Sequence, residues 1–443
     1  MLDELHTQSL DRSIYYLDPD RCGETVELLN SYCRKLHDGY KRGRAPLIIV
    51  GAGVSRPPPA EIPLMEDLLD HIIGLTSQED PADEVVKLCD RAKTTRNRSD
   101  VAILFGALQN PLTDLAVARR VWKQFCDDFL SRKVKCGGQD LNESSIKLRP
   151  EPTEAHRWIA EMCVTYGARC LSVNFDGLTR RAIDGHVGRD GKGVILDTQR
   201  KIDNFFARAP HPGNGKPLYA VFKVRGDIFY AKCQTSGCPL ESDETPVYDL
   251  DSYAKKSGDG RSSSGSLLGC PECGEPRTLQ IGFPGHHGKE LESEKILASL
   301  WRFVVPSRSM FILLGFSGEW DRAVVNFVFE AGRSQSIPIL DVRLEPKEGA
   351  KHFIHDVGRI EYADVEYKGL YGTADRFAEL MKRTGIDKHK QLKTPSVPNP
   401  THIGEFGAPM PADETWHKEP WTSPHGSAHI CSAGELRDLS FFS

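Results

Sequence analysis

Ala45-Pro46-Leu47-Ile48-Ile49-Val50-Gly51-Ala52-Gly53-Val54-Ser55 is the stretch on which the reading of the whole chain turns. Leu47 to Val50 is an unbroken apolar run between Pro46 and Gly51, the pattern of a strand buried on both faces. Two glycines then predict a tight turn. With no Cβ at Gly51 or Gly53 a phosphate can approach the backbone, and Ser55 is placed to cap a following helix whose free N–H groups attract an anion. This is the pattern of a dinucleotide site. Without the third glycine of the usual fingerprint, it is equally the pattern of a plain strand-to-loop turn.

The surrounding sequence limits the choices. A chain of 443 residues exceeds one ordinary core, so a main domain with an inserted or appended module is expected. Apolar residues make up 39% and charged residues 27%, a globular balance, and the net charge of −5 gives no reason to expect nonspecific binding to nucleic acid. No apolar run approaches the ~20 residues that span a bilayer. The polar start Met1-Leu2-Asp3-Glu4 lacks the basic-then-apolar order of a secretory signal. A cytoplasmic protein with reduced thiols is the expectation, its 12 cysteines mostly small buried residues apart from any that hold a metal.

Upstream of the opening stretch, Leu28, Leu29, Tyr32, Leu36 and Tyr40 recur at helical spacing over 23–42. Downstream, Pro57-Pro58-Pro59 forces an extended loop, either a cover for a ligand or a stiff connector, before helical periodicity resumes at Leu64–Leu75. Residues 83–132 read as several helices, clearest over Leu112–Leu130, and form a helical insertion. A polar loop over 136–147 leads to a helix start at Pro152-Thr153, with Trp158, Ile159 and Met162 inward. Cys170–Val173 predicts a second buried strand ending at Asn174-Phe175-Asp176-Gly177, and 217–224 a third ending at Arg225-Gly226-Asp227; the Gly- and Arg-rich 186–216 reads as a long connection between them. In open parallel sheets, ligands bind at such carboxyl ends.

Further on, Cys233-x4-Cys238 and Cys270-Pro271-Glu272-Cys273 are two close cysteine pairs separated by a Ser/Gly-rich stretch. Each pair can place two thiolates on one turn, and two such turns close a tetrahedral structural zinc site; the alternative is four unrelated buried thiols. Alternation of helix and strand then returns: helix 290–303, strand 310–314, Gly315-Phe316-Ser317-Gly318, helix 319–331, strand 337–344 and helix 372–383. Beyond about 385 periodicity is lost in a Pro- and Ser-rich tail that carries Trp416 and Trp421.

In their order, Gly51-Ala52-Gly53-Val54-Ser55, Val173-Asn174-Phe175-Asp176, Arg225-Gly226, the four cysteines, Gly315-Phe316-Ser317 and Gly372-Thr373-Ala374 resemble the sirtuin superfamily across 46–383. The resemblance implies an α/β fold with a Rossmann-like parallel sheet that binds NAD, a small zinc-binding module and a helical insertion. It divides the chain into an N-terminal helical segment over 1–45, an NAD-binding domain over 46–384 and a tail over 385–443. The insertion falls at about 80–135 and the zinc module at about 229–282. It places Gly51, Ala52, Gly53 and Ser55 against the pyrophosphate, Asn174 against water or the nicotinamide ribose, Asp176 in the same pocket, and Gly315 and Ser317 against the adenosine half, with Asp341 a candidate for a ribose hydroxyl. Taken without it, Asn174 is a strand-end residue bonding its own turn and Asp176 a helix cap.

Three departures bear on function. Sirtuins carry a His before Gly as the base for deacylation, and here Arg225 stands there, a side chain that stays protonated. The loop Glu61-Ile62-Pro63-Leu64-Met65-Glu66 lacks the Phe and Arg expected near the nicotinamide, and Val173 replaces the Gln before Asn174. The expected functions are therefore, in order, an NAD hydrolase like bacterial sirtuin-like antiphage effectors, an inactive NAD-binding subunit in which Arg225 grips a phosphate, and a deacylase. In the first, Asn174 places the attacking water, with His186, His211, His286 or His287 as stand-ins for the missing His. By analogy alone such proteins form homo-oligomers, sometimes beside a DNA-translocating ATPase.

Overall fold

The computed structural model describes residues 14–17, 23–109, 116–130, 134, 150–207, 217–233, 235–239, 244–246, 270, 272–275, 277–282, 287–344 and 353–383. The tail, the loop over 136–147, His211 and His286 lie outside them. Strands β1 (Ile14–Tyr16), β2 (Ala45–Val50), β3 (Arg169–Ser172), β4 (Lys192–Leu196), β5 (Leu218–Lys223), β9 (Arg308–Leu314), β10 (Ile339–Arg343) and β11 (Tyr367–Tyr371) are mutually parallel. They form one eight-stranded sheet in the order β1-β11-β10-β9-β2-β3-β5-β4. The opening stretch is thus near the middle of an α/β sheet.

Burial on both faces explains the unbroken apolar run. Ile48 and Val50 of β2 face one side with Met310, Ile312 and Leu314 of β9, under helices Gly23–Lys41, Glu154–Thr165 and Ala374–Met381. Leu47 and Ile49 face the other with Phe311 and Leu313, under His287–Phe303, Arg322–Gln335 and Phe353–Ile360. The crossover from β2 to β3 ends in Glu154–Thr165 on the first side, and that from β9 to β10 is Arg322–Gln335 on the second. Connections therefore leave the adjacent strands β2 and β9 toward opposite faces, the topological switch point outside whose carboxyl ends ligands bind in open α/β sheets.

Helices Met65–Thr76, Glu84–Thr95, Arg98–Gln109 and Ala116–Leu130 share a separate core that includes Leu69, Phe105 and Phe125. That core reaches the sheet's carboxyl edge through Phe175 and Trp320 and also takes in Ala231. Strands β6 (Gly226–Cys233), β7 (Glu244–Pro246) and β8 (Arg277–Ile281) make a small antiparallel sheet in the order β7-β6-β8. β6 follows β5 with only Val224 and Arg225 between them.

The structure corrects the sequence reading in several places. Residues 186–216 are not a plain connection: they hold β4 and helix Gln199–Ala207. β4 closes one edge of the sheet, so its short Gly193-Val194-Ile195-Leu196 run buries less than a central strand and leaves a weaker pattern. β1 is a further addition, drawing the N-terminal segment into the sheet against β11. β11 itself went unread because Lys368 and Gly369 interrupt its apolar residues.

Candidate functional site

The glycine loop closes on the neighbouring strand end. Gly51 N–H donates to Leu314 O at 2.9 Å and Gly53 N–H to Gly315 O at 3.0 Å. A Cβ on Gly51 would lie 2.4 Å from Gly315 O, and one on Gly53 2.9 Å from Gly315 Cα. Gly315 has φ +57, and a Cβ there would lie 2.7 Å from Val54 N. The missing Cβ atoms therefore admit another backbone, a requirement different from the phosphate approach expected from sequence. Ala52–Val54 forms a 3-10 turn, and no α-helix starts at Ser55. Ser55 is consequently not a helix cap; helix Met65–Thr76 begins ten residues later, with Asp67 accepting from Leu64 N–H at 2.9 Å.

Ser55 is instead the hub of a buried polar knot. Its Oγ donates to Asp176 Oδ2 at 2.7 Å and accepts from Asn174 Nδ2 at 3.0 Å. His156 Nε2 lies 3.3 Å away. The tautomer follows from the other ring nitrogen: Nδ1 accepts from the Thr153 backbone N–H at 3.2 Å, so Nε2 carries the proton and donates to Ser55. Burial, only partly opposed by Asp176, drives His156 down to about 4, so the ring is neutral. With one donation and two acceptances the serine oxygen is saturated, and neither Ser55 nor His156 is available as a nucleophile or a solvent-facing base. His156 was missed in the sequence, where Thr153-x-x-His156 carries capping-box spacing and Thr153 does cap its helix.

Asp176 and Asn174 use their remaining atoms differently. Asp176 Oδ1 accepts from Leu178 N–H at 2.9 Å, the helix-start role anticipated as its structural alternative. Asn174 Oδ1 is buried and makes no hydrogen bond. The buried Lys223 ammonium donates to the Asp176 carbonyl and lies 3.6 Å from Asp227 Oδ2, tying the ends of β3 and β5 together. The paired register ends at Ser172↔Lys223, so Asn174 and Arg225 each lie two residues beyond the ends of neighbouring strands. Arg225 Nε donates to Asp321 Oδ1 at 2.7 Å and one terminal nitrogen to Trp320 O at 3.1 Å, while NH1 is buried without a partner. Asn174 Oδ1 and Arg225 NH1 are thus an acceptor and a donor without partners beyond the ends of neighbouring strands, as are Asp341 Oδ1 and Arg343 Nε on β10, while Phe175 and Trp320 pack against the helical core.

The other residues expected at this edge are less concentrated. Ser317 is exposed in the loop after β9. Asp341 is completely buried on β10, where Oδ2 accepts from Tyr367 OH at 2.6 Å and faces Arg343 at 3.1 Å. Burial outweighs Arg343 and pushes its carboxyl up. Asp341 belongs to this internal pair and takes no part in the Ser55 knot. Arg343, unremarked in the sequence, holds the Asp341 charge.

The cysteine expectation stands geometrically. Cys233, Cys238, Cys270 and Cys273 bring their sulfurs within 4.8 Å of one another, with Cys233–Cys273 at 3.6 Å and Cys238–Cys270 at 3.8 Å. Four sulfurs about 2.3 Å from a tetrahedral zinc lie about 3.8 Å apart, so the set fits the ion. Hydrogen bonds from Thr235 hold the Cys233 thiol down to about 7. Burial raises Cys270, but the backbone N–H groups of Cys273 and Glu272 outweigh it and lower that thiol as well. These groups suit thiolate ligands, and all four positions are protein, as in a structural site.

No known protein-family model matches the chain, and no curated protein matches it. Among the described residues no helix is long and apolar enough to cross a membrane.

Proposed function

We propose that the chain is a sirtuin-like, Rossmann-like NAD-binding protein that hydrolyses NAD and releases nicotinamide. The observation that carries this reading is the pair of unsatisfied buried atoms, Asn174 Oδ1 and Arg225 NH1, beyond the ends of the neighbouring strands β3 and β5 on the carboxyl edge of the sheet. Buried polar atoms without partners are costly, and a polar ligand that supplies both a donor and an acceptor removes that cost. The resemblance of the ordered motifs around them to those of sirtuins supports NAD as that ligand.

Cleavage of the nicotinamide–ribose bond builds positive charge on the ribose as the leaving group departs. The protein has to hold the sugar, keep bulk solvent out and place one water. Asn174 is fixed by its Nδ2 bond to Ser55, which leaves Oδ1 to accept from a water or ribose hydroxyl. Ser55, His156 and Thr153 are the rigid support for that oxygen. Arg225 NH1 is the donor for a ligand oxygen, and Asp321 fixes the guanidinium. The cysteine cluster, carrying zinc, would anchor β6 next to Arg225. The antiphage role, homo-oligomer and ATPase partner belong to the same proposal and rest on the resemblance alone.

One observation favours a second reading, the NAD-binding subunit without catalysis. Arg225 is locked in an ion pair where a deacylase needs a base, and the one His in the knot is neutral and saturated. Nicotinamide release by the purified protein, with and without infected-cell lysate and beside an acetyl-peptide control, separates the readings. Release without peptide that falls at least ~100-fold in Asn174→Ala supports hydrolysis. Binding without release supports the subunit, and peptide-dependent release supports the deacylase.

A further inference from the structure

The opposite end of the sheet has a different character. Because its strands are parallel, their starts share one edge, and basic residues collect there. Arg44 immediately precedes β2, Arg169 begins β3, Lys192 begins β4 and Arg308 begins β9. Arg42 and Arg302 lie at the ends of the helices leading into β2 and β9. Among the described residues none of these six forms an ion pair. Arg308 is buried, with Val304 O, Pro46 O and Ser307 Oγ as its acceptors and no carboxylate. Burial, with Arg169 adding repulsion, lowers it to about 9, which still leaves it charged near neutrality. The chain's net charge of −5 conceals this edge because acids and bases are separated by the fold and not by the sequence.

We propose that the amino-terminal edge of the sheet is a docking surface for single-stranded nucleic acid, held through its phosphates. The strands from β9 through β2, β3 and β5 to β4 cover four spacings of about 4.8 Å, roughly 19 Å, a span that fits several consecutive phosphates for the exposed Arg42, Arg44, Lys192 and Arg302 and the half-buried Arg169, with Arg308 held internally. Half-buried tyrosines lie nearby: Tyr40 and Tyr166 meet edge to face with centroids 5.5 Å apart, next to the starts of β2 and β3, and Tyr219 lies in β5, Tyr166 and Tyr219 resting partly on the core. Cations that follow a backbone, interleaved with aromatic rings on which bases stack, are what an unpaired strand requires. Acidic side chains also stand at this edge: Asp38 lies one turn before Arg42 and Asp190 two residues before Lys192, while Glu366 is paired with Lys35, Asp364 with Arg333, and Asp184 with Arg180 and the Gly193 N–H.

The test is fluorescence anisotropy of the full chain with a labelled oligodeoxythymidine of about 20 nucleotides, a duplex of equal length and anionic phospholipid vesicles. About five phosphate contacts predict a slope near −3.5 for log affinity against log salt, a loss of about 100-fold between 50 and 200 mM. Arg42→Glu with Arg44→Glu should weaken the single strand at least ~10-fold and flatten the slope by about 1.4, and Lys192→Glu with Arg302→Glu should act alike. Lys87→Glu with Lys93→Glu, on the exposed face of the helical insertion, makes the same charge change and should leave binding within about 2-fold. The proposal is overturned if no oligonucleotide binds at low salt, if the control pair weakens binding as much as the edge variants, or if duplex or vesicles bind as tightly as the single strand.

Discussion

The two ends of the central sheet are built from the same strands and solve opposite electrostatic problems. At the carboxyl edge every buried charge has a counterpart: Arg225 meets Asp321, Lys223 meets Asp227, and Asp176 takes hydrogen bonds from Ser55 and the Leu178 N–H. What remains there is incompletely bonded groups, among them the neutral Asn174 amide and the ion-paired Arg225. At the amino edge, Arg169 and Arg308 approach one another with no carboxylate between them. A compensated edge fits a ligand recognised by geometry, and an uncompensated edge fits a partner that brings its own negative charge.

The largest way to break this comparison is to remove the metal. One zinc per chain is expected by elemental analysis and should be lost from Cys270→Ser with Cys273→Ser. Structural zinc contributes on the order of 10 kcal/mol of binding free energy, so chelation should open the small sheet, and hydrogen exchange should rise from Arg225 through β6 while β2 and β9 hold. Equal protection with and without metal would show that the carboxyl edge does not depend on the cysteine cluster.

Removing one partner of a buried pair comes next. Asp321→Ala strands the Arg225 charge and is expected to cost about 3–5 kcal/mol in denaturant unfolding, whereas Arg44→Ala at the other edge should stay within about 0.5 kcal/mol. Similar costs at both positions would erase the contrast between the edges.

The pH dependence sharpens it further. His156 is held at about 4 in the fold against an ordinary 6.5, so its contribution is intact above about pH 6.5. Between 6.5 and 4 the unfolded chain binds a proton that the folded chain refuses, and stability should fall by at most about 1.4 kcal/mol per pH unit. His156→Gln should flatten that part of the profile; an unchanged profile would mean that the ring is not held neutral. The smallest effect expected is on stability from Arg42→Glu with Arg44→Glu, exposed positions where the change should shift unfolding by no more than a few tenths of a kcal/mol.

Much of this architecture was legible in the residues. β2, β3, β5 and β9 are continuous apolar runs because both of their faces are covered, and the cysteine pairs announce their cluster by spacing. Edge strands were not legible: β1 is only three residues long and β4 buries less than a central strand. Asn174 and Asp176 stood out as polar residues closing a buried strand. Their partners did not, since Ser55 lies 119 residues from Asn174, and Asp321 96 residues from Arg225. Pairings over such separations leave no periodic trace. The purpose of Gly51 and Gly53 was also hidden, because a glycine that admits a phosphate and one that admits Gly315 are the same letter.

The central claim is the proposal that NAD occupies the carboxyl edge of the sheet beside Asn174 and Arg225. Titration calorimetry with an NAD analogue whose ribose ring oxygen is replaced by carbon, so that turnover cannot obscure binding, tests it on the zinc-loaded full chain. One site per chain, weakened at least ~10-fold by Asn174→Ala and unaltered by Arg42→Glu with Arg44→Glu, is the predicted result. No binding, or binding indifferent to Asn174 and lost with the arginines, would contradict it.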